Sequence, residues 1–224
     1  MARKPRRGKK AAEAAAPYGA RVAEVVIMPY ETLEVGERYM KELKEKARLV
    51  CEALRKSNIP HAVVGGLAVS AHVCGVDPAA ERNTKDLDLL LHSSDLDSAA
   101  DSLAPLGFRL RKVLGVYAFV KKGGKFRDAI HVVKANEKVR PEYAHAAPAP
   151  PESPEFYSSE GYPCLDLALL LTMKLTSFRL KDQVHVQDLL GVGLITRKIE
   201  KALPPDLLER LQYVKDQTER ERLG

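Results

Sequence analysis

The chain has 224 residues, with 45% hydrophobic and 29% charged side chains and a formal net charge of +6. This length can bury a core, and this composition is ordinary for a globular protein, so a fibrous or low-complexity chain is excluded. Three widely spaced cysteines, Cys51, Cys74 and Cys164, do not form a zinc or disulfide framework. No apolar run approaches a membrane span. We therefore expect a cytoplasmic protein with no membrane partner.

The first ten residues, "MARKPRRGKK", contain six Lys or Arg and no acid, which equals the net charge of the whole chain. We predict a basic disordered tail over residues 1–20. Two interpretations of it stay open. It is either a solvated tail or an arm that binds phosphate backbones such as RNA.

The remaining pattern predicts a mixed α/β core over residues 21–140, a linker over 141–163 and a helical region over 164–224. In the core, apolar residues at helical spacing predict a helix over 31–56. There follow a short strand ending in Gly65-Gly66, a small helix closed by Gly75, a strand "KDLDLLLH", a helix begun at Ser93 or Ser94, and strands around a turn at Gly123-Gly124. The segment 141–163 is rich in Pro and Ala, which is typical of a linker. In the last region we predict helices over 165–180, 182–192 and 205–222.

Two acids lie on the predicted strand "KDLDLLLH". Residues two apart on a strand share a face, so Asp86 and Asp88 project together while Leu87 points the other way. Two adjacent carboxylates repel each other unless a cation lies between them. A hard divalent ion such as Mg²⁺ satisfies both and also binds substrate phosphates. The alternative is an edge strand with two solvated acids.

A glycine pair precedes this strand by about twenty residues. Gly65 and Gly66 end a buried strand and open a helix at once, which allows the backbone to approach an anion at the helix N-terminus. Arg82 and Thr84 come just before the acids, and an Arg can bind phosphate oxygens. Taken singly, the glycines also suit a tight turn and the polar pair a loop. Together they indicate a metal and phosphate site.

These residues carry a resemblance. "GGLAVSAH" followed by "RNTKDLDLLL" resembles the nucleotidyltransferase superfamily that includes DNA polymerase β, and the form R-x-T-x-D-h-D is similar to minimal bacterial enzymes of the AbiEii type. "MKLTSFRLKDQVHVQDLL" is similar to the helix pair of that family. The resemblance covers about residues 55–195. It implies an α+β fold: a mixed sheet flanked by helices, followed by a small C-terminal helical region.

The resemblance also implies roles. Gly65 and Gly66 would face a nucleoside triphosphate, and Asp86 and Asp88 would hold Mg²⁺ or Mn²⁺ in an in-line displacement. Lys174 would reach the phosphates from the helical region. The further residues of the helix pair would contact the nucleotide or lock the helices together, and for Asp188 we favour the locking role; the others are Arg179, Lys181 and Asp182.

The third carboxylate of the family pattern is not in its usual place. In "KFRDAIHVVKA" the register puts His131 at the expected position, and Asp128 lies three residues earlier, which faces the opposite side of an ideal strand. Either a bulge brings Asp128 round or His131 takes its place. His131 can act as a base but is a poor Mg²⁺ ligand. On the C-terminal helices, His185 is expected to pack or to lie exposed.

Three functions follow as expectations. The first is a metal-dependent nucleotidyltransferase that moves a nucleoside monophosphate to a hydroxyl of an RNA end, a protein or a small molecule. The second is a protein of the same fold that binds nucleotide or RNA without turnover. The third is a protein partner in a two-protein system of the toxin–antitoxin kind.

Overall fold

The computed structural model describes residues 30–124 and 128–223. The predicted tail at 1–20, with its basic arm, lies outside these ranges. The described helices are α1 (Tyr30–Lys56), α2 (Gly65–Cys74), α3 (Leu96–Leu103), α4 (Leu167–Ser177), α5 (Leu180–Gly191), α6 (Arg197–Ala202) and α7 (Pro205–Leu223). The described strands are β1 (Ala62–Val64), β2 (Leu87–Leu91), β3 (Phe108–Val113), β4 (Val116–Lys121), β5 (Ile130–Lys134), β6 (Phe156–Tyr157) and β7 (Pro163–Cys164).

The strands form one mixed sheet in the order β3-β4-β5-β2-β1-β7-β6. Two pairs are parallel, β2 with β5 and β1 with β7, and the other pairs are antiparallel. β1 and β2, near the middle, bury residues on both faces, since all of Ala62–Val64 and Leu89, Leu90 and Leu91 are inaccessible to solvent. A strand segment buried on both faces needs a continuous apolar run, which β1 has throughout and β2 has over its last three residues. The predicted α+β fold with a mixed sheet flanked by helices is confirmed.

The segment predicted as a linker adds two strands to the sheet. β7 pairs with β1 through Val63 and Cys164, and the Leu165 amide donates to the Val63 carbonyl at 3.0 Å. β6 pairs with β7 and forms the edge. Strands of two residues carry no periodic pattern, so only the long-range pairing reveals them.

The first two C-terminal helices meet at a sharper break than the pattern predicts. α4 begins where the Asp166 side chain accepts from the amides of Ala168 and Leu169, and it ends at Phe178, whose φ of 48° is left-handed. Asp182 then caps α5 through the backbone amide of Arg179. α4 and α5 both pack on α2, which brings the helical region against the sheet. None of the described helices is long and apolar enough to cross a membrane.

Candidate functional site

A cavity of about 590 Å³ opens between the sheet and the helical region. One wall is made by the end of β1, the start of α2, the residues before β2, and β5. The opposite wall is made by α4, α5 and the segment 139–147. Most of the predicted site residues line this cavity: Gly65, Gly66, Thr84, Asp86, Asp88, His131, Lys174, Arg179, Lys181 and Asp182.

Asp88 lies directly against Gly65. The antiparallel register of β1 and β2 places Val64 opposite Asp88, so the carboxylate projects over the point where β1 turns into α2. A Cβ atom on Gly65 would lie 2.0 Å from the Asp88 Oδ2 atom, and Gly65 has a φ of 74°. Both the space and the left-handed backbone therefore require glycine here.

Gly66 and Thr84 form the next layer of the same wall. A Cβ atom on Gly66 would lie 2.8 Å from Thr84 Oγ1 and 3.4 Å from His185 Cε1. Val64, the residue before α2, donates no side-chain cap, and the first turn of α2 contains no acid. Amides of the first helical turn have no partner within the helix and attract anions. This wall thus combines amides suited to a phosphate with a carboxylate suited to a cation.

The structure separates the two candidates for the third ligand. His131 is the in-register neighbour of Asp88 on β5, and its Nδ1 atom lies 3.7 Å from Asp88 Oδ1. Asp128 precedes β5, is not among the residues that line the cavity, and lines another cavity against α1. Its backbone carbonyl accepts from Lys46 Nζ at 3.4 Å. In residues 30–124 and 128–223, no three His, Cys, Asp or Glu side chains are arranged to hold a metal ion.

On the helical wall, one buried carboxylate organises the cations. Asp182 is fully buried and accepts from Arg179 Nε at 2.7 Å and from Ser177 Oγ at 2.8 Å, and it lies 3.4 Å from Lys174 Nζ. Burial alone would raise the pKa of Asp182, but the Arg179 hydrogen bond and the Lys174 charge lower it overall. Asp182 is therefore an anchor for Lys174 and Arg179, which is the locking alternative for this residue.

Lys174 is the most deeply buried cation of the cavity, with 6% of its surface exposed. Burial lowers the pKa of its ammonium group, and the carboxylates of Asp182 and Asp88 offset part of that shift. Lys174 thus lies between Asp182 on α5 and Asp88 on β2. An anion that enters the cavity would add negative charge beside the Lys174 ammonium group and stabilise its charged form.

Two predicted site residues, Arg82 and Asp128, do not line the cavity. The Arg82 Nε atom donates to Asp188 Oδ1 at 2.7 Å, and the Arg82 side chain is 65% exposed. Arg82 therefore ties the loop before β2 to α5, so Asp188 makes a structural ion pair with this loop and not with the other helix of the pair. An exposed pair of this kind contributes about 0.2–1 kcal/mol to stability.

The sequence reasoning missed the segment 139–147, which closes one side of the cavity through Arg140, Tyr143 and His145. His145 Nε2 lies 2.8 Å from the Asp206 carboxylate at the start of α7, so the segment is held against the helical region. The Pro-rich composition nearby is typical of a linker, so the pattern did not indicate that these side chains belong to a site. Lys85, next to the two acids, was also passed over and lines the cavity.

His185 has a more specific position than packing or exposure alone. It lines the cavity beside Gly66, and its Nδ1 atom is buried without a hydrogen-bond partner. Burial, followed by the charge of Lys174, lowers the pKa of His185 to about 4. The ring is therefore neutral at pH 7 and adds no charge to the cavity.

Comparison with known proteins gives a distant likeness. No family model matches the chain, and no curated protein matches it. Among solved structures, the chain is similar to the antibiotic-resistance factor ANT(2'')-Ia, with 13% identity over 82% of this chain and 91% of that one and a TM-score of 0.46. It is also similar to an antigenic nucleotidyltransferase-like protein from Paracoccidioides brasiliensis, with 19% identity over 81% and 89% and a TM-score of 0.44. The Megavirus polyadenylate synthase matches with 8% identity over 80% of this chain and 36% of that one, at a TM-score of 0.32. These likenesses are weak, so the function is inferred from the residues of this chain.

Proposed function

We propose that the chain binds a nucleoside triphosphate in this cavity and transfers its nucleoside monophosphate to a hydroxyl acceptor. The observation that supports this most directly is the contact between Gly65 and Asp88 at the N-terminus of α2. It brings phosphate-binding amides and a metal-binding carboxylate to the same point. A metal-bound polyphosphate is the ligand that uses both.

The two carboxylates fit a magnesium or manganese ion. Mg²⁺ is usually held by one or two protein carboxylates together with waters and substrate phosphates, so Asp86 and Asp88 suffice without a third acid. When bound, the ion would neutralise the phosphate charge and activate the attacking hydroxyl. His131 lies beside the Asp88 carboxylate on the β5 side, with its Nδ1 atom 3.7 Å from Asp88 Oδ1.

The reaction would be an in-line displacement at the α-phosphorus. A bond forms between the acceptor oxygen and that phosphorus, the bond to the β-phosphate bridging oxygen breaks, and pyrophosphate leaves with the electron pair while the hydroxyl proton passes to solvent. The chain supplies position and charge. The start of α2 and Lys174 would bind the phosphates from opposite walls, and the exposed Lys181 would meet them at the rim.

A second candidate is a protein that binds the nucleotide without turnover. It is favoured by the presence of His131, which is a poor Mg²⁺ ligand, at the in-register position beside Asp88. In that case the chain would retain affinity for a nucleoside triphosphate and show no transfer. The role of partner in a two-protein system would instead give a stable complex with one protein and no nucleotide affinity.

Two measurements test the proposal: calorimetric titration with each nucleoside triphosphate, and transfer of α-³²P label to total RNA, to protein and to small hydroxyl compounds, with Mg²⁺ or Mn²⁺. Asp88→Asn preserves shape and removes the charge, and we expect it to lose transfer and metal-dependent binding. Asp101→Asn, an exposed acid on α3, is the matched control and should behave as the wild type. Equal labelling by Asp88→Asn and wild type would show that this cavity is not the site. Binding without transfer would select the second candidate.

A further inference from the structure

The edge hairpin formed by β3 and β4 carries charge of one sign. Residues 107–124 contain five Lys or Arg and no acid. All five side chains are exposed, and none forms an ion pair with a residue in the described part of the chain; they are Arg109, Arg111, Lys112, Lys121 and Lys122. Outside this hairpin and the basic residues 1–10, the rest of the chain has a formal charge of −5, so the hairpin is an unneutralised basic surface on an otherwise acidic body.

The strand register connects this surface to the cavity. Arg111 is paired with Ala118, Ala118 with His131, and His131 with Asp88. Residues directly opposite each other on neighbouring strands project from the same face of a sheet. Arg111 and Asp88 thus share a face, three strand spacings apart, or about 14 Å.

Arg109 projects from the same face, because it is two residues from Arg111 on β3. Between the arginines and the cavity lies Ala118, a small and fully buried residue. The two guanidinium groups therefore form a short row that leads from the sheet edge toward His131 and Asp88. On the other face, Lys112 and Lys134 lie 4.9 Å and 5.8 Å from the centroid of the Tyr117 ring.

Protection of the sheet edge explains part of this charge. Charged residues on an edge strand discourage pairing with other chains. Positive charges, negative charges or a mixture of both can protect an edge strand in this way. Edge protection therefore does not explain why all five charged side chains are cations. A polyanion accounts for the single sign and for the alignment with the cavity.

We propose that the β3–β4 hairpin binds the phosphate backbone of a single RNA strand and so directs a terminal hydroxyl of that strand into the cavity. The inference rests on the proposed function, whose acceptor it names. Basic side chains that follow a phosphate backbone are typical of proteins that bind single strands. RNA fits this role better than DNA, because RNA is commonly a free single strand with an accessible end, whereas DNA is normally paired.

The test uses the full chain and a short unstructured RNA oligonucleotide, with binding followed by fluorescence anisotropy between about 50 and 200 mM salt. For single strands, the slope of log K against log salt is about −0.7 for each phosphate contact. We expect the double variant Arg109→Gln with Arg111→Gln to bind more weakly and with a slope shallower by about 1.4. Arg109→Lys with Arg111→Lys keeps the charge and should stay close to the wild type.

The matched control is Arg220→Gln with Arg222→Gln, since these two arginines are also exposed and two residues apart, but lie at the end of α7. It should leave the slope unchanged. All variants should keep the thermal midpoint and the affinity for a nucleoside triphosphate, because none alters the cavity lining.

An unchanged slope in the hairpin variant would overturn the proposal, and so would an equal loss in the α7 control. Tighter binding of a DNA strand of the same sequence would overturn the choice of RNA. A wild-type protein that binds RNA through the hairpin but no nucleoside triphosphate would count against the proposed function alone. Nucleotide binding without RNA binding would count against the hairpin alone.

Discussion

The substitution Gly65→Ala tests the central contact of the site. The new methyl group would lie 2.0 Å from Asp88 Oδ2, 2.9 Å from its Cγ and 3.1 Å from its Cβ. The nearest of these falls about 1.4 Å short of an ordinary contact of 3.4 Å. Rotation of the carboxylate relieves the first two contacts but leaves the third. Asp88 must therefore leave its position, and β1 and β2 must separate slightly.

Two costs add in this variant. Alanine at a left-handed φ of 74° costs about 1–2 kcal/mol. Overpacking a close contact costs about 1–3 kcal/mol more. We expect Gly65→Ala to lose about 2–5 kcal/mol of unfolding free energy, and to lose affinity for a nucleoside triphosphate because Asp88 is displaced.

Gly107→Ala separates the two costs. Gly107 has a φ of 85°, and a Cβ atom there would meet no atom within 4 Å. This variant should lose only about 1–2 kcal/mol and should keep nucleotide affinity. Urea unfolding gives the free energies, and calorimetric titration gives the affinities. Equal stability of the two variants, or nucleotide binding by Gly65→Ala as tight as that of the wild type, would contradict a close contact between Gly65 and Asp88.

Three further outcomes are expected. Asp128→Asn should keep the wild-type affinity for a nucleoside triphosphate in titration, because Asp128 lies outside the cavity lining; a loss like that of Asp88→Asn would restore it as the third acid. Asp182→Asn leaves the buried Lys174 without its carboxylate and should cost about 3–5 kcal/mol in urea unfolding. Because the folded pKa of Asp182 is lowered, its contribution to the free energy of unfolding is present above about pH 4 and is lost as the pH falls further. The unfolding free energy of Asp182→Asn should therefore fall less steeply with acid than that of the wild type. His185 has a folded pKa of about 4, so the wild type should lose about 1–2 kcal/mol relative to His185→Gln as the pH falls from about 6.5 to 4; parallel curves would contradict the buried neutral ring.

The acid and glycine wall of the site was predictable because it depends on local pattern. Alternation on β2 put Asp86 and Asp88 on one face, although β2 begins at Leu87 and Asp86 lies just before it. A glycine pair between a strand and a helix indicated the start of α2. What the pattern could not show is that Gly65 touches Asp88, since that contact depends on the pairing of β1 with β2.

Other parts were hidden because they depend on single long-range contacts. The segment 139–147 has no regular strand or helix, and it is held in place by a hydrogen bond between His145 and Asp206, which are 61 residues apart. The tight turn between β3 and β4 places Leu114 and Gly115 at φ values of 49° and 84°. Gly is common at such a position in a hairpin turn but Leu is not, so only one of the two turn residues indicated the turn in the sequence.

The charge balance of the cavity links ligand binding to stability. Lys174 is buried with one close carboxylate, Asp182, which it shares with Arg179. Burial lowers the pKa of the Lys174 ammonium group, and the nearby carboxylates offset only part of that shift, so the cation is incompletely compensated. The phosphates of a bound nucleotide would add negative charge beside Lys174 and raise its pKa again. A ligand at 100 times its dissociation constant stabilises the folded state by about 2.7 kcal/mol through mass action alone. A nucleotide in the cavity should therefore both stabilise the fold and raise the pKa of Lys174. A ligand bound elsewhere would stabilise the fold without changing that pKa.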